Sequence, residues 1–205
     1  MQPLRAHSWA EAHLYLKVTH CTQCSRGPWE VQTERRAAGP QTVRARCLHC
    51  GAEKEFTFEC PPPAGAEDAD VAAGHAGDLP AELINPSPEP SEIIDVGQWL
   101  SLFYHLVETA NKAETKAGTR RLTFQAAQCL DEALKFYPAD DALPPPAAFF
   151  TQASREAFAK VPEKFARERL RDIRSKLPEM RVMIGRIALD AGKAGKKRWW
   201  QFWKR

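Results

Sequence analysis

The chain has 205 residues, of which 43% are hydrophobic and 27% charged, and this balance excludes a collagen-like or mucin-like chain and wholesale disorder. No run of 18 apolar residues is present that would predict a transmembrane helix. The net charge of +3 is unevenly distributed, because residues 61–95 carry eight acidic and no basic residues, whereas residues 161–205 carry 14 basic and five acidic ones. This asymmetry predicts either attraction within the chain or an anionic partner for its basic end.

Residues 13–60 show the alternating pattern of short strands around two cysteine pairs. Leu14, Leu16 and Val18 alternate with other residues before the first cysteine pair. Similar alternation is found after that pair, before the second cysteine pair and beyond Gly51. A turn is expected at residues 38–40. A unit of this size cannot bury an adequate core, so we expect a metal or another element to hold it together.

Four of the six cysteines form two C-x-x-C pairs that are separated by 22 residues, namely Cys21 with Cys24 and Cys47 with Cys50. The first 25 residues lack the pattern of a secretion signal, so the pairs favour a metal site in a cytoplasmic protein over a disulfide framework. Four thiolates are the closed tetrahedral ligand set of structural zinc. The arrangement resembles a zinc ribbon, and the resemblance implies one structural Zn²⁺ held by these four cysteines, with Gly27 and Gly51 in the tight knuckle turns.

Two other chemistries remain open for the cysteine pairs. Iron is bound by four cysteines in rubredoxin-like sites, and a C-x-x-C pair can act in thiol redox reactions, although such a pair is usually solitary and at a helix start. His20 and His49 lie beside ligand cysteines and are interpreted as polar knuckle residues, since the four-thiolate set is already complete. Cys60 and Cys129 are interpreted as small packing residues.

Residues 61–92 differ in composition from the segments on either side. They contain seven prolines, many alanines and acidic residues, and no Lys or Arg. Such a segment cannot offset the entropy cost of ordering it, so the sequence predicts a disordered linker. A docking peptide is the alternative.

From residue 93 the apolar period becomes helical, and four or five helices are predicted up to residue 192. The first carries Trp99, Leu102, Phe103 and Leu106 on one face, and the others are expected near residues 119–137, 149–160, 162–177 and beyond Pro178. The helix at 162–177 carries a basic stripe of Lys164, Arg167, Arg171 and Arg174. Neighbouring glutamates indicate a solvated surface, and a phosphate-facing role is the alternative.

Residues 193–205 form a basic aromatic tail. Half of the six tryptophans lie within residues 195–205, among five basic residues. Tryptophan prefers a half-buried interface, so the tail is expected to contact a protein partner, an anionic membrane surface or unpaired bases. The candidate contact residues are Lys196, Lys197, Arg198, Trp199, Trp200, Phe202, Trp203, Lys204 and Arg205.

The predicted architecture is therefore α+β. It comprises an all-β zinc-ribbon module at residues 1–60, the acidic linker at 61–92, an α-helical domain at 93–192 and the tail at 193–205. No nucleotide-binding loop, nucleophile elbow or metalloprotease motif is present, so we expect an interaction or adaptor protein with no small-molecule substrate. The alternatives are a nucleic-acid-binding protein, with Trp29, Arg35, Arg36, Arg44 and Arg46 as a patch on the ribbon, and a peripheral membrane scaffold.

Overall fold

The computed structural model describes residues 2–35, 39–61 and 84–177. A small sheet occupies the N-terminal part and most helices the C-terminal part, so the predicted α+β class is confirmed. The strands are β1 (Leu4–Arg5), β2 (Trp29–Arg35), β3 (Gln41–Cys47) and β4 (Glu53–Glu59). The α-helices are α1 (Trp9–Val18), α2 (Val96–Lys112), α3 (Lys116–Leu134), α4 (Gln152–Lys160) and α5 (Arg167–Ser175), and short 3-10 helices lie at Pro146–Ala148 and Pro162–Phe165.

The sheet has the strand order β1-β4-β3-β2, in which β1 is parallel to β4 and the other pairs are antiparallel. The register places Trp29 opposite Cys47 and Val43 opposite Phe56. On β3 and β4 apolar side chains such as Val43, Phe56 and Phe58 are buried, while their neighbours along the strand face solvent. The sheet therefore has one covered and one open face, as expected for antiparallel strands of alternating pattern.

Helix α1 covers the buried face of the sheet, and the strand predicted at residues 14–18 is wrong. Ser8 caps the helix, because its Oγ accepts a hydrogen bond from the backbone N–H of Glu11 at 3.1 Å. Tyr15 packs edge-on against the rings of Phe56 and Phe58. Leu14 and Leu16, which point to nearly opposite sides of a helix, are each only 1% exposed. A helix buried on both sides has no amphipathic period, and its alternating leucines therefore resemble a strand.

The second side of α1 faces the helical part of the chain, and the two parts share one apolar core. The side-chain amide of Gln98 on α2 donates to the carbonyl of Val18 at 3.4 Å, and Arg5 pairs with Glu92 at 3.1 Å. The N-terminal unit is therefore not an isolated mini-domain. Its small size is compensated by burial against the helices as well as by the cysteine site.

Residues 84–92 belong to the predicted linker but are packed against both parts of the chain. The hydroxyl of Ser8 donates to the carbonyl of Ile84, and the backbone N–H of Ile84 donates to the side chain of Gln128 at 2.8 Å. Asn85 donates to Glu132 at 3.0 Å. The packed helical region thus extends back to Ile84 rather than starting at residue 93, while residues 62–83 of the predicted linker lie outside the described residues.

Helices α2 and α3 form the main helix pair, and α4 packs on α2 while α5 packs on α3. The predicted apolar faces of α2, α3 and α5 are buried, including Trp99, Phe103, Leu130 and Leu170. The face predicted for the helix at residues 149–160 is wrong, because Phe150, Ala153 and Ala157 are exposed. The single helix predicted from residue 162 is instead the 3-10 turn followed by α5. The predicted fifth helix beyond Pro178 and the basic aromatic tail fall outside the part of the chain that the structure describes.

The buried carboxylate of Asp95 joins the first turns of α2 and α4. Its Oδ1 accepts from the backbone N–H of Gln98 at 2.8 Å and from the hydroxyl of Ser154 at 2.7 Å. Its Oδ2 accepts from the backbone N–H groups of Phe150 and Thr151 and from the hydroxyl of Thr151, at 2.9 to 3.0 Å. The two helices approach closely here, since a Cβ atom added at Gly97 would lie 2.5 Å from Ser154 Oγ.

Arg167 closes the C-terminal end of α3. Its guanidinium donates to the carbonyls of Tyr137, at 2.9 Å, and of Pro138 and Ala139, and it lies over the Tyr137 ring with its central carbon 5.7 Å from the ring centroid. Arg174 forms two hydrogen bonds with the carboxylate of Asp131, at 2.7 and 3.0 Å. These two members of the predicted basic stripe thus have structural partners, and only Lys164 and Arg171 are exposed.

We expect Arg167→Lys to lower the free energy of unfolding by about 1–2 kcal/mol, because an ammonium group cannot reproduce the planar donor set that serves three carbonyls. Arg169→Lys is the matched control, since Arg169 is exposed on the same helix. Urea unfolding of the two variants measures the difference. Equal midpoints would show that the contacts of Arg167 contribute nothing to stability.

Glu132 is buried beside Asn85 and Lys135, whose ammonium lies 2.8 Å from its carboxylate. Burial raises the pKa of Glu132 to about 7, although the Lys135 and Asn85 hydrogen bonds lower it. The folded pKa lies above the unfolded value of about 4.3, so the native state holds an extra proton between these values. The stability due to that proton is complete below pH ~4.3 and is lost as the pH rises through 7.

We therefore expect wild type to gain about 1–3 kcal/mol of stability relative to Glu132→Gln when the pH falls from 8 to 5.5. Glutamine keeps an oxygen to accept from Asn85 but does not titrate. Urea unfolding of both proteins at the two pH values gives the difference, in which titrations common to both cancel. A difference that stays constant with pH would contradict the raised pKa.

Candidate metal centre

The first knuckle follows α1 and is a tight turn over residues 21–26. The backbone N–H of Ser25 donates to the carbonyl of Cys21 at 2.8 Å, and the N–H of Cys21 donates to the carbonyl of Arg26 at 2.6 Å. Ser25 has a φ of 53°, in the left-handed region. The prediction that Gly27 makes this turn is therefore wrong, and Ser25 is the residue with the required positive φ.

The second knuckle repeats this pattern between β3 and β4. The N–H of Gly51 donates to the carbonyl of Cys47 at 2.9 Å, and the N–H of Cys47 donates to the carbonyl of Ala52 at 2.8 Å. Gly51 has a φ of 76° and so corresponds to Ser25 of the first knuckle. The prediction that Gly51 occupies a tight knuckle turn agrees with this geometry, because glycine adopts a positive φ without steric cost.

The two turns bring all four predicted ligand sulfurs together. The Sγ atoms of Cys21 and Cys50 are 3.7 Å apart, as are those of Cys24 and Cys47, and every pair in the cluster lies within 4.8 Å. Zinc bound tetrahedrally at the usual Zn–S distance of about 2.3 Å separates its sulfurs by about 3.8 Å. The cluster is therefore compatible with a zinc-binding site that needs only small adjustments of the side chains.

Backbone groups and burial set the proton affinities of the free thiols. The backbone N–H of Cys50 is the main cause that lowers the pKa of Cys47 to about 7, against burial, which raises it. Burial raises the pKa of Cys24 to about 12. Metal binding to such a site releases the remaining thiol protons, because thiolates are the ligands.

The cluster is anchored on one side and open on the other. Cys21 and Cys47 are buried, Cys24 is half-buried and Cys50 is exposed. Trp29, opposite Cys47 on β2, packs edge-on against Phe56 with ring centroids 5.3 Å apart. The indole therefore belongs to the core behind the knuckles, and the predicted nucleic-acid patch lacks its aromatic residue.

The remaining residues of that patch do not form a basic surface on the sheet. Arg44 and Arg46 are exposed, but the register places Arg46 between Glu30 of β2 and Glu53 of β4, and Arg44 opposite Glu55. Basic and acidic residues thus alternate across the open face. The side chains of Arg35 and Arg36 lie outside the described structure.

The other residues considered near the site do not contribute to the cluster of four sulfurs. A ring nitrogen of His49 lies 2.7 Å from the guanidinium of Arg26, so this pair links the two knuckles. His20 is exposed beside Cys21. Cys60 lies beyond the other end of β4, where its Sγ is 3.8 Å from the carbonyl of Ser8, and Cys129 is buried in α3.

Comparison with known proteins finds no family model, no curated protein and no solved structure that matches this chain. The class of this protein is therefore described by its structure alone: it is an α+β protein with a four-cysteine cluster compatible with zinc. Among the described residues, no helix is long and apolar enough to cross a bilayer.

Proposed function

We propose that this chain is a zinc-binding interaction protein of the cytoplasm, in which one structural Zn²⁺ fixes the N-terminal sheet and residues 195–205 anchor a protein partner. The observation that supports this most directly is the cluster of four sulfurs on two matching knuckle turns. Four thiolates occupy every position of tetrahedral zinc, which leaves none for a substrate. A structural role follows from this closed ligand set.

The positions of the two knuckles support a mechanical role for a bound zinc ion. The first knuckle joins α1 to β2, and the second joins β3 to β4. A bound ion would therefore cross-link these two connections. The thiolates would replace part of the apolar core that so small a sheet lacks. Iron could use the same sulfurs, and metal analysis distinguishes the two.

Binding is favoured over catalysis by the surroundings of the charged residues. Among the described residues, a cavity of about 380 Å³ at the end of α5 is lined by Arg174 and Asp131, which form a salt bridge, together with Arg171. A protein partner is favoured over nucleic acid because the open sheet face has mixed charge. The tail sequence supplies tryptophan and arginine, which are enriched among the residues that dominate protein interfaces.

The test starts with native mass spectrometry and metal analysis of the purified full chain, for which we expect one zinc per chain. Cross-linking to a protein partner is then compared between the full chain and two variants. In one variant Trp199, Trp200 and Trp203 are changed to alanine, and in the other the five basic residues of 195–205 are changed to glutamine. Cross-linking to one defined protein, lost in the tryptophan variant, supports the proposal.

Two further probes decide between the alternatives. Binding to a single-stranded oligonucleotide that weakens steeply with salt would replace the proposal with the nucleic-acid function. Co-sedimentation with vesicles containing phosphatidylserine, lost in both tail variants, would replace it with the membrane scaffold. A chain without metal would overturn the zinc site itself.

A further inference from the structure

The four sulfurs of the metal centre differ strongly in their access to solvent. Cys50 is exposed, whereas Cys21 and Cys47 are each 1% exposed. The residues before Cys50, Leu48 and His49, are also exposed, and Leu48 is 59% accessible. Among the four ligand residues, Cys50 is therefore the most accessible to a small oxidant.

The exposed sulfur has a buried neighbour on the other knuckle. Cys50 Sγ lies 3.7 Å from Cys21 Sγ. Cys24 and Cys47 are equally close, but neither of these two residues is exposed. A disulfide bond is about 2.05 Å long, so the sulfurs of Cys50 and Cys21 need to approach by less than 2 Å. Cys50 and Cys21 thus have the arrangement of an accessible thiolate next to a second cysteine that can resolve its oxidation.

We propose that the centre is a peroxide-sensitive modification site, in which Cys50 is oxidised first and then forms a disulfide with Cys21. This inference rests on the proposed zinc function, because it requires the ion to be bound at the start. Zinc-bound cysteines are held as thiolates, the form that reacts with peroxides.

The reaction balances with hydrogen peroxide as the oxidant. The Cys50 thiolate attacks one peroxide oxygen, an S–O bond forms as the O–O bond breaks, and hydroxide leaves. The Cys21 thiolate then attacks the sulfur of the sulfenic acid, an S–S bond forms as the S–O bond breaks, and a second hydroxide leaves. Two electrons pass from the sulfurs to the peroxide, and two protons from solvent convert the hydroxides to water.

Loss of metal follows from the loss of ligands. After the reaction Cys24 and Cys47 remain as thiolates, and two thiolates do not complete a structural zinc site. The ion is therefore released. Since the knuckles join α1, β2, β3 and β4, release would loosen the sheet against the helices.

The experiment uses the full chain with one zinc confirmed by native mass spectrometry. Hydrogen peroxide is added, zinc release is followed with a chromogenic chelator, and free thiols are then alkylated and mapped after trypsin digestion. Trypsin places Cys21 and Cys24 in peptide 18–26, and Cys47 and Cys50 in peptide 47–54. A disulfide between the knuckles joins these peptides, whereas one within a knuckle leaves them separate.

We expect one equivalent of zinc to be released in step with the joined peptide, and fragmentation to locate the bond at Cys21 and Cys50. Brief alkylation before peroxide should modify Cys50 about tenfold faster than Cys21. Cys60→Ser is the control, and it should release zinc at the wild-type rate because Cys60 lies outside the cluster. Treatment with a thiol reductant and zinc should restore the starting mass.

Separate peptides with disulfides inside each knuckle would overturn the pairing, as would a bond between Cys24 and Cys47. Retention of zinc while Cys60 oxidises first would overturn the modification site altogether. If the purified chain holds no zinc at the start, the proposed function itself has failed, and this result is seen before peroxide is added.

Discussion

Replacing Cys47 with serine will abolish stoichiometric zinc binding and unfold the N-terminal sheet. Cys47 is a buried member of the cluster and also the last residue of β3. Structural zinc binding is coupled to about 10–16 kcal/mol of apparent free energy, which is comparable with the whole stability of a typical domain, about 5–15 kcal/mol. Burial against the helices also stabilises this unit, but we do not expect it to compensate for a loss of this size.

The effect should extend into the helices, because α1 is buried between the sheet and the helical part. Hydrogen exchange of Cys47→Ser should show loss of protection in β2, β3 and β4 and a weaker loss in α1 and α2. Cys60→Ser is the matched control and should keep both zinc and protection. A Cys47→Ser chain that retains one zinc and a protected sheet would refute the assignment of this ligand.

Asp95→Asn is expected to lower the free energy of unfolding by about 3–5 kcal/mol. The carboxylate accepts five hydrogen bonds and is fully buried. An asparagine presents an NH₂ group in place of one oxygen, so donors would face donors on the side of either Ser154 or Thr151. The donors on that side therefore lose their acceptor, while the remaining amide oxygen serves the other side.

Urea unfolding compares this variant with Asp140→Asn, in which an exposed aspartate undergoes the same chemical change. Circular dichroism checks that both variants remain folded in the absence of urea. A destabilisation of Asp95→Asn below about 1 kcal/mol would show that the network of donors tolerates an amide.

The cysteine site could be predicted from the sequence because each of its two C-x-x-C motifs is a short local pattern. Each C-x-x-C pair forms its own turn, and the strands between Cys24 and Cys47 bring the two turns together. Helix α2 could likewise be predicted, since it has a single buried face with Trp99 and Phe103 at helical spacing. In both cases the pattern that predicts the structure lies within a short stretch of sequence and does not depend on contacts with distant residues.

The errors arose where the packing of distant residues determines the structure. Helix α1 is covered on both sides, so its leucines show no helical period, although Ser8 and Glu11 carry a capping signal that could have revealed it. Asp95 and Gln98 form a capping box that is also visible in the sequence. Its bonds to Thr151 and Ser154 span more than 50 residues, and no local pattern contains them.

The burial of α1 on two sides has a consequence for the folding of the chain during its synthesis. Domains generally fold as they emerge from the ribosome, N-terminal parts first. The sheet and its cysteines are complete at residue 59, but the side of α1 that meets α2 has no cover until Val96–Lys112 has emerged. During that interval the newly made N-terminal part exposes an apolar helix surface, and exposed surface of this kind favours aggregation of the incomplete chain.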